Sequence, residues 1–198
     1  MVIPSFKLKT TKHLMYQDKS TDFQDILQGC YRDQRSSQNA LYRLFYPYGM
    51  SIAIRYVNTE AEAMSIVNDA FLKVFKNIKR YDTQLEFKPW FRKILVNTAI
   101  NFMKKEKKYK EVLDLETIPA IATQEDILSK LNYKDLIKIL KSLSLAYRTV
   151  FNLYVIEGYK HEEIANMLGI SVSTSKSNLT RARVKLRELV IVNLKQSI

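Results

Sequence analysis

The sequence predicts an all-α protein: two small helical domains joined by a flexible acidic linker, the second with a helix-turn-helix. Three observations carry this. The 198 residues include only 4 Gly and 4 Pro, too few for the many turns of a β-sandwich or barrel. Lys, Glu, Leu, Ile and Ala, all compatible with helices, dominate the composition. Apolar residues recur at spacings of three and four, and no stretch alternates as a half-buried strand would. The boundaries expected are a tail at 1–20, a first domain at 21–110, a linker at 111–125 and a second domain at 126–198.

The helical pattern begins at Asp22, with Phe23, Ile26, Leu27 and Cys30 on one face. A second stripe runs through Leu41, Leu44, Phe45 and Tyr48, past Pro47 and Gly49, into Ile52, Ile54 and Tyr56. The stretch 59–78 is the clearest helix. Asn58 or Thr59 can cap its start, and Glu60 and Glu62 suit the positive end of the helix dipole. Ala63, Val67, Ala70, Phe71, Val74, Phe75 and Ile78 form its inner stripe, leaving Asn68, Asp69, Lys73 and Lys76 outside. The loop YDTQLEFK then leads into a helix opened by Pro89, a residue suited to a first turn. That helix, FKPWFRKILVNTAINFMKK, ends in a run that includes Lys104, Lys105, Lys107, Lys108 and Lys110.

At 111–125, EVLDLETIPAIATQE, the chain turns acidic, carries Pro119 and loses its period, which marks a linker. An amphipathic helix is expected over 126–142, from Ile127, Leu128, Leu131, Ile137 and Leu140. A further helix, LSLAYRTVFNLYVIEG, stops at Gly158. In HEEIANMLGISVSTSKSNLTRAR, Ile164, Ala165 and Leu168 form an inner face, and small Ala165 lets a second helix cross closely. Gly169 permits the left-handed residue that ends the helix, Ile170 plugs the corner, and Ser171 or Ser173 can cap the next helix. This is the grammar of a helix-turn-helix, whose second helix enters the major groove. Its groove side carries Lys176, Ser177, Thr180 and Arg181, followed by Arg183, Lys185 and Arg187, with no acidic residue between Lys176 and Arg187.

Charge points the same way. The formal net charge is +12, so an anionic partner is expected, a nucleic acid or a membrane surface. No apolar run reaches the ~18 residues that span a bilayer. The opening MVIPSFKLKTTKHLMY breaks its apolar residues with Pro4, Lys7, Lys9 and Lys12, unlike a signal peptide. A cytoplasmic protein is expected, and the single Cys30 agrees, as a buried small residue with no internal disulfide. Tyr81, Phe87, Trp90 and Phe91 cluster beside the lysine-tipped helix, where aromatics could stack on unpaired bases. Trp90 reads as core, while Leu85 and Phe87 are the loop residues that could meet a base. His13 and His161 read as solvated. No phosphate loop, metal-ligand spacing or nucleophile motif is present, so neither enzymatic activity nor a cofactor is expected.

Three blocks in fixed order resemble the extracytoplasmic-function group of the sigma-70 family, over roughly residues 22–192. IVNDAFLKVFKNIKRYD is similar to the helix that grips the polymerase clamp, which implies polymerase contacts at Asn68, Asp69 and Lys73. FKPWFRKILVNTAINFMKK is similar to the helix that reads and opens the minus-ten element. The resemblance places Asn97 and Asn101 against that strand, with Lys104 and Lys105 beyond them. It also makes the loop 82–88, with Gln84 and Phe87, the receiver of a flipped-out base. LSLAYRTVFNLYVIEGYKHEEIANMLGISVSTSKSNLTRARVKLREL is similar to the minus-thirty-five reader, with Lys176, Ser177, Thr180, Arg181 and Arg183 on DNA. The partners implied are core RNA polymerase, promoter DNA and an anti-sigma factor, which in this family is often membrane-bound. Met64 and Ser65 stand where the family usually has an acidic pair, and Ser175 and Asn178 where it has Val and Arg.

Two other classes compete with a sigma factor. One is a helix-turn-helix regulator with a helical sensor domain, which leaves the lysine-tipped, aromatic-flanked helix unexplained. The other is a helical RNA-binding or membrane-surface protein driven by charge alone, which leaves the helix-turn-helix unexplained.

Overall fold

The computed structural model describes residues 14–105 and 133–195, and every described element is helical. The expected linker at 111–125, the start of the helix expected over 126–142, and Lys107, Lys108 and Lys110 lie outside those residues.

Helices α1 (Leu14–Tyr31) and α2 (Arg35–Ala53) form a hairpin. Its turn contains Asp33 at φ 55°, a left-handed conformation that Asp tolerates better than most residues. Gly29 has no alternative: a Cβ there would lie 1.9 Å from Ser37 Oγ on the facing helix. Helix α1 starts at Leu14, upstream of the pattern first legible at Asp22, because LMYQDKST offers no apolar stripe to read. Helix α2 continues through Pro47 as the stripe suggested, but Leu44 is 55% exposed. Tyr42, absent from the expected stripe, packs on the core with its ring 4.8 Å from that of Phe71.

Helix α3 (Glu60–Asn77) begins with a reciprocal cap. Thr59 Oγ1 accepts from the Glu62 amide at 3.2 Å, and the Glu62 carboxylate accepts from the Thr59 amide at 3.1 Å. A 3₁₀ turn (Ile78–Arg80) and a short loop lead to α4 (Phe87–Lys105). Among α1, α2, α3 and α4 lies an aromatic core in which Phe45, Phe71 and Phe87 each approach another ring within 5 Å.

The second group contains α5 (Tyr133–Lys141), α6 (Leu145–Phe151), α7 (His161–Leu168) and α8 (Val172–Lys195). Between α6 and α7 the chain widens into a π turn (Asn152–Ile156), closed by the Glu157 amide on the Asn152 carbonyl at 2.9 Å. Gly158, at φ 81°, then ends the segment.

The two groups share one buried apolar cluster, which takes Val150, Leu153, Ile164 and Leu168 from the second group, and they also touch through polar side chains. Arg148 of α6 is only 1% exposed; it donates to Asn58 Oδ1 at 2.9 Å and to the Tyr56 carbonyl at 3.3 Å. Asn152 donates to the Arg55 carbonyl at 2.8 Å. The Glu157 carboxylate, 2% exposed, pairs with Arg55 at 3.2 Å and with Arg92 of α4. An ordinary α-helix would set positions 152 and 157 on different sides. The π turn, by adding a residue, aims both at Arg55.

Candidate nucleic-acid interface

Helix α4 has two faces. Leu95, Ala99 and Met103 are buried, while Asn97, Asn101, Lys104 and Lys105 are exposed. Their spacing puts these four in one row about 12 Å long. Two amides that can donate and accept therefore lead into two cations.

The loop before α4 is held in shape by its own bonds. The Gln84 amide donates to Asp82 Oδ1 at 2.9 Å, and the Leu85 amide to the Asp82 carbonyl at 3.0 Å. Tyr81 Oη donates to the Leu85 carbonyl, and Tyr31 Oη to the Tyr81 carbonyl. Gln84 is exposed and Leu85 is 64% exposed. Phe87 departs from expectation. It is the first residue of α4, 3% exposed, and lies among Phe23, Phe45, Tyr81 and Trp90. The core needs a large ring where α4 starts, and Phe87 supplies it, so it is not a solvent-facing wall. Trp90 is half-buried against Tyr81, with centroids 4.9 Å apart.

The α7–α8 turn follows the expected grammar. Ile164 is fully buried, Ala165 and Leu168 nearly so, and Gly169 sits at φ 71°. Ser171, not Ser173, caps α8, accepting from the Thr174 amide at 3.0 Å. Lys176, Ser177, Thr180 and Arg183 are exposed and Arg181 is half-exposed. The guanidinium of Arg183 lies over the Tyr154 ring, 6.0 Å from its centre. Tyr154 stacks on His161 at 4.4 Å, and His161 Nδ1 meets Ser175 Oγ at 2.9 Å. His161, expected to be solvated, thus ties α7 to α8. Ser175 and Asn178 both point inward, at 0% and 5% exposure. Asn178 therefore occupies a core position and not a phosphate contact, with its Nδ2 lacking a partner.

On α3, Asn68 and Asp69 are exposed, and Asn68 Oδ1 accepts from Tyr42 Oη at 2.9 Å. Lys73 differs from its expected role. Its Nζ turns inward and donates to Thr98 Oγ1 of α4 at 2.9 Å, joining two helices. Met64 and Leu72 are exposed on the same outer side. Among the described residues no group of acidic, His or Cys side chains could hold a metal, and no helix is long and apolar enough to cross a membrane.

Arg55, Arg92, Arg148 and Glu157 escaped the sequence reading. Their side-chain partners lie 65 to 102 residues away in the chain, beyond any periodicity.

A helix-turn-helix together with a second basic helix backed by aromatics is an arrangement suited to a helical DNA-binding protein. The family models for Sigma-70 region 2 and Sigma-70 region 4 match residues 41–109 and 133–186. RNA polymerase sigma factor SigV of Bacillus subtilis is 36% identical over 139 residues, covering 69% of this chain and 80% of SigV. The ECF RNA polymerase sigma-E factor of Escherichia coli K12 is 25% identical over 167 residues, or 77% of this chain and 87% of that protein. A solved structure of the sigma factor RpoE with the anti-sigma factor NepR, from Bartonella quintana, aligns with a TM-score of 0.49 and 25% identity, over 78% of this chain and 96% of that one. The chain belongs to the extracytoplasmic-function group of the sigma-70 family, sigma factors that direct transcription initiation. That family is not a class of enzymes. The regulator with a sensor domain is excluded, since region 2 occupies the place a sensor would take.

Proposed function

We propose that this sigma factor reads its promoter at two points. The exposed row Asn97, Asn101, Lys104 and Lys105, with Gln84 and Leu85 in the adjoining loop, meets the minus-ten element. Lys176, Ser177, Thr180, Arg181 and Arg183 meet the minus-thirty-five element. Core RNA polymerase takes the outer side of α3 around Asn68 and Asp69, and the site of action is the cytoplasm. An anti-sigma factor, often membrane-bound in this family, belongs to the same reading. The domains follow as residues 21–110 and 126–198, with the linker at 111–125.

The observation that supports this best is the pairing of two exposed basic and polar rows, one on α4 and one on α8, each backed by a packed core. Phosphate contacts from the cations set register and affinity, while the amides and Arg181 discriminate bases. Transcription in vitro with core polymerase on a genomic library, followed by start-site mapping, tests it. The expected result is a set of starts sharing one minus-ten and one minus-thirty-five sequence. Starts with no shared element at either position overturn the reading.

A further inference from the structure

We infer that Lys73 is a positioning residue for minus-ten reading: through Thr98 it fixes the roll of α4 that turns Asn97 and Asn101 outward. This role presupposes the reading of the α4 row given above, and it departs from the polymerase contact that the family resemblance implied for Lys73.

Helical spacing puts Lys73 on the same side of α3 as Asp69, one turn away. Asn68 and Asp69 stay exposed there, but Lys73 is half-buried and turned toward α4. Its Nζ donates to Thr98 Oγ1 at 2.9 Å, and the Thr98 hydroxyl donates its own proton to the Ile94 carbonyl at 2.7 Å. Thr98 is only 2% exposed. Both sides of its hydroxyl are therefore used: the proton on its own helix, a lone pair on α3. No carboxylate of the described residues lies within salt-bridge distance of the ammonium, so the bond to Thr98 is not incidental to an ion pair.

The rest of the seam is apolar. Val67, Ala70 and Val74 of α3 and Leu95, Ala99 and Met103 of α4 belong to one buried cluster. Burial of this kind is non-directional, so it holds the two helices together without choosing one roll. A hydrogen bond is directional and does choose. Thr98 follows Asn97 directly and precedes Asn101 by nearly one turn, so the bond acts at the centre of the row. Side-chain tips lie about 5–6 Å from a helix axis, and a roll of about 20° carries them about 2 Å. A hydrogen bond to a base tolerates only a few tenths of an ångström. A side chain that never meets DNA thus decides whether two amides reach it.

The test is transcription by holoenzyme on templates with a randomised minus-ten element, scored as the ratio of starts with the preferred base to starts with the others. Thr98→Val removes the acceptor and leaves Lys73 free to swing into water. It should lower the ratio about three- to tenfold, the worth of one hydrogen bond. Lys73→Met should do the same, and it serves if Thr98→Val fails to fold. The double variant should lose no more than either single one, since all three remove the same bond. Thr98→Ser keeps the hydroxyl and should retain the parent preference, and core polymerase should bind every variant as tightly as the parent. An unaltered base preference in folded Thr98→Val and Lys73→Met overturns the proposal; if core binding by Lys73→Met weakens at the same time, Lys73 is a polymerase contact instead. Equal losses in Thr98→Ser and Thr98→Val overturn it too, because shape and not the hydroxyl then sets the roll. Asn97→Ala in the same library checks the underlying reading. If it leaves the preference intact, the α4 row does not read the element and the positioning role falls with it. If it blunts the preference while Thr98→Val does not, only the positioning role falls.

Discussion

His161 Nδ1 lies 2.9 Å from Ser175 Oγ, a bond between the first helix of the helix-turn-helix and the buried side of the second. The His161 ring also stacks on Tyr154, over which Arg183 lies. A buried hydroxyl thereby fixes the pitch of α8 where the family usually places a valine. Ser175→Ala should lower stability by about 1 kcal/mol, measured by urea unfolding. It should also weaken minus-thirty-five binding more than minus-ten binding. Loss of neither would show the bond to be incidental.

Phe87 distinguishes core from base contact. As a ring at 3% exposure among five other aromatics, its truncation to Ala should cost about 3–5 kcal/mol of stability. A variant that melts like the parent protein and changes only minus-ten preference would contradict its placement in the core.

The loop 82–86 presents Gln84 and Leu85 on a turn tied by Asp82 and Tyr81. Grafting a different loop there should change the preferred minus-ten base and leave the minus-thirty-five preference intact. Asn97→Ala should blunt the same preference. A randomised minus-ten library with start-site mapping reads both. A graft that lowers activity at unaltered preference makes the loop a connector only.

Arg181, half-exposed on the groove side of α8, has the planar fork suited to bidentate binding. Arg181→Ala should cost about 1–3 kcal/mol in promoter affinity. Lys138→Ala, on an exposed side chain of α5, should cost little. Equal losses in a promoter titration with holoenzyme would remove Arg181 from the readout.

Burial pushes the Cys30 thiol up to about 11 from 9.0. A group whose pKa is higher in the folded state adds stability that is full below its unfolded value and is lost as pH rises toward the folded one. Stability should therefore fall between about pH 9 and 11. Burial raises Tyr42, Tyr48, Tyr56, Tyr81 and Tyr159 in the same direction, while Lys141, lowered by burial, opposes them. Chemical unfolding across this range should show a shallower decline for Cys30→Ala. An identical slope would mean that Cys30 is already ionised or exposed in the native state.

Local chemistry alone determined much of this protein. The all-α class follows from helical spacing and scarce Gly and Pro. The α3 cap follows from Thr59 and Glu62, and the helix-turn-helix from Ile164, Ala165, Leu168 and Gly169. Each depends on residues within a turn or two of one another, so spacing reports it. Only the tertiary structure decided the rest. Phe87 went to the core because distant Phe23 and Phe45 required a ring there, and Lys73 turned inward because Thr98 offered an acceptor. Leu44 was left exposed because Leu41, Phe45 and Tyr48 fill the face that packs on the core. Asn178 faced inward once His161 and Ser175 set the roll of α8. The joining of Glu157 to Arg55 and Arg92 depends on a π turn and on packing between segments 65 to 102 residues apart, and no local pattern encodes which of many surface charges will meet.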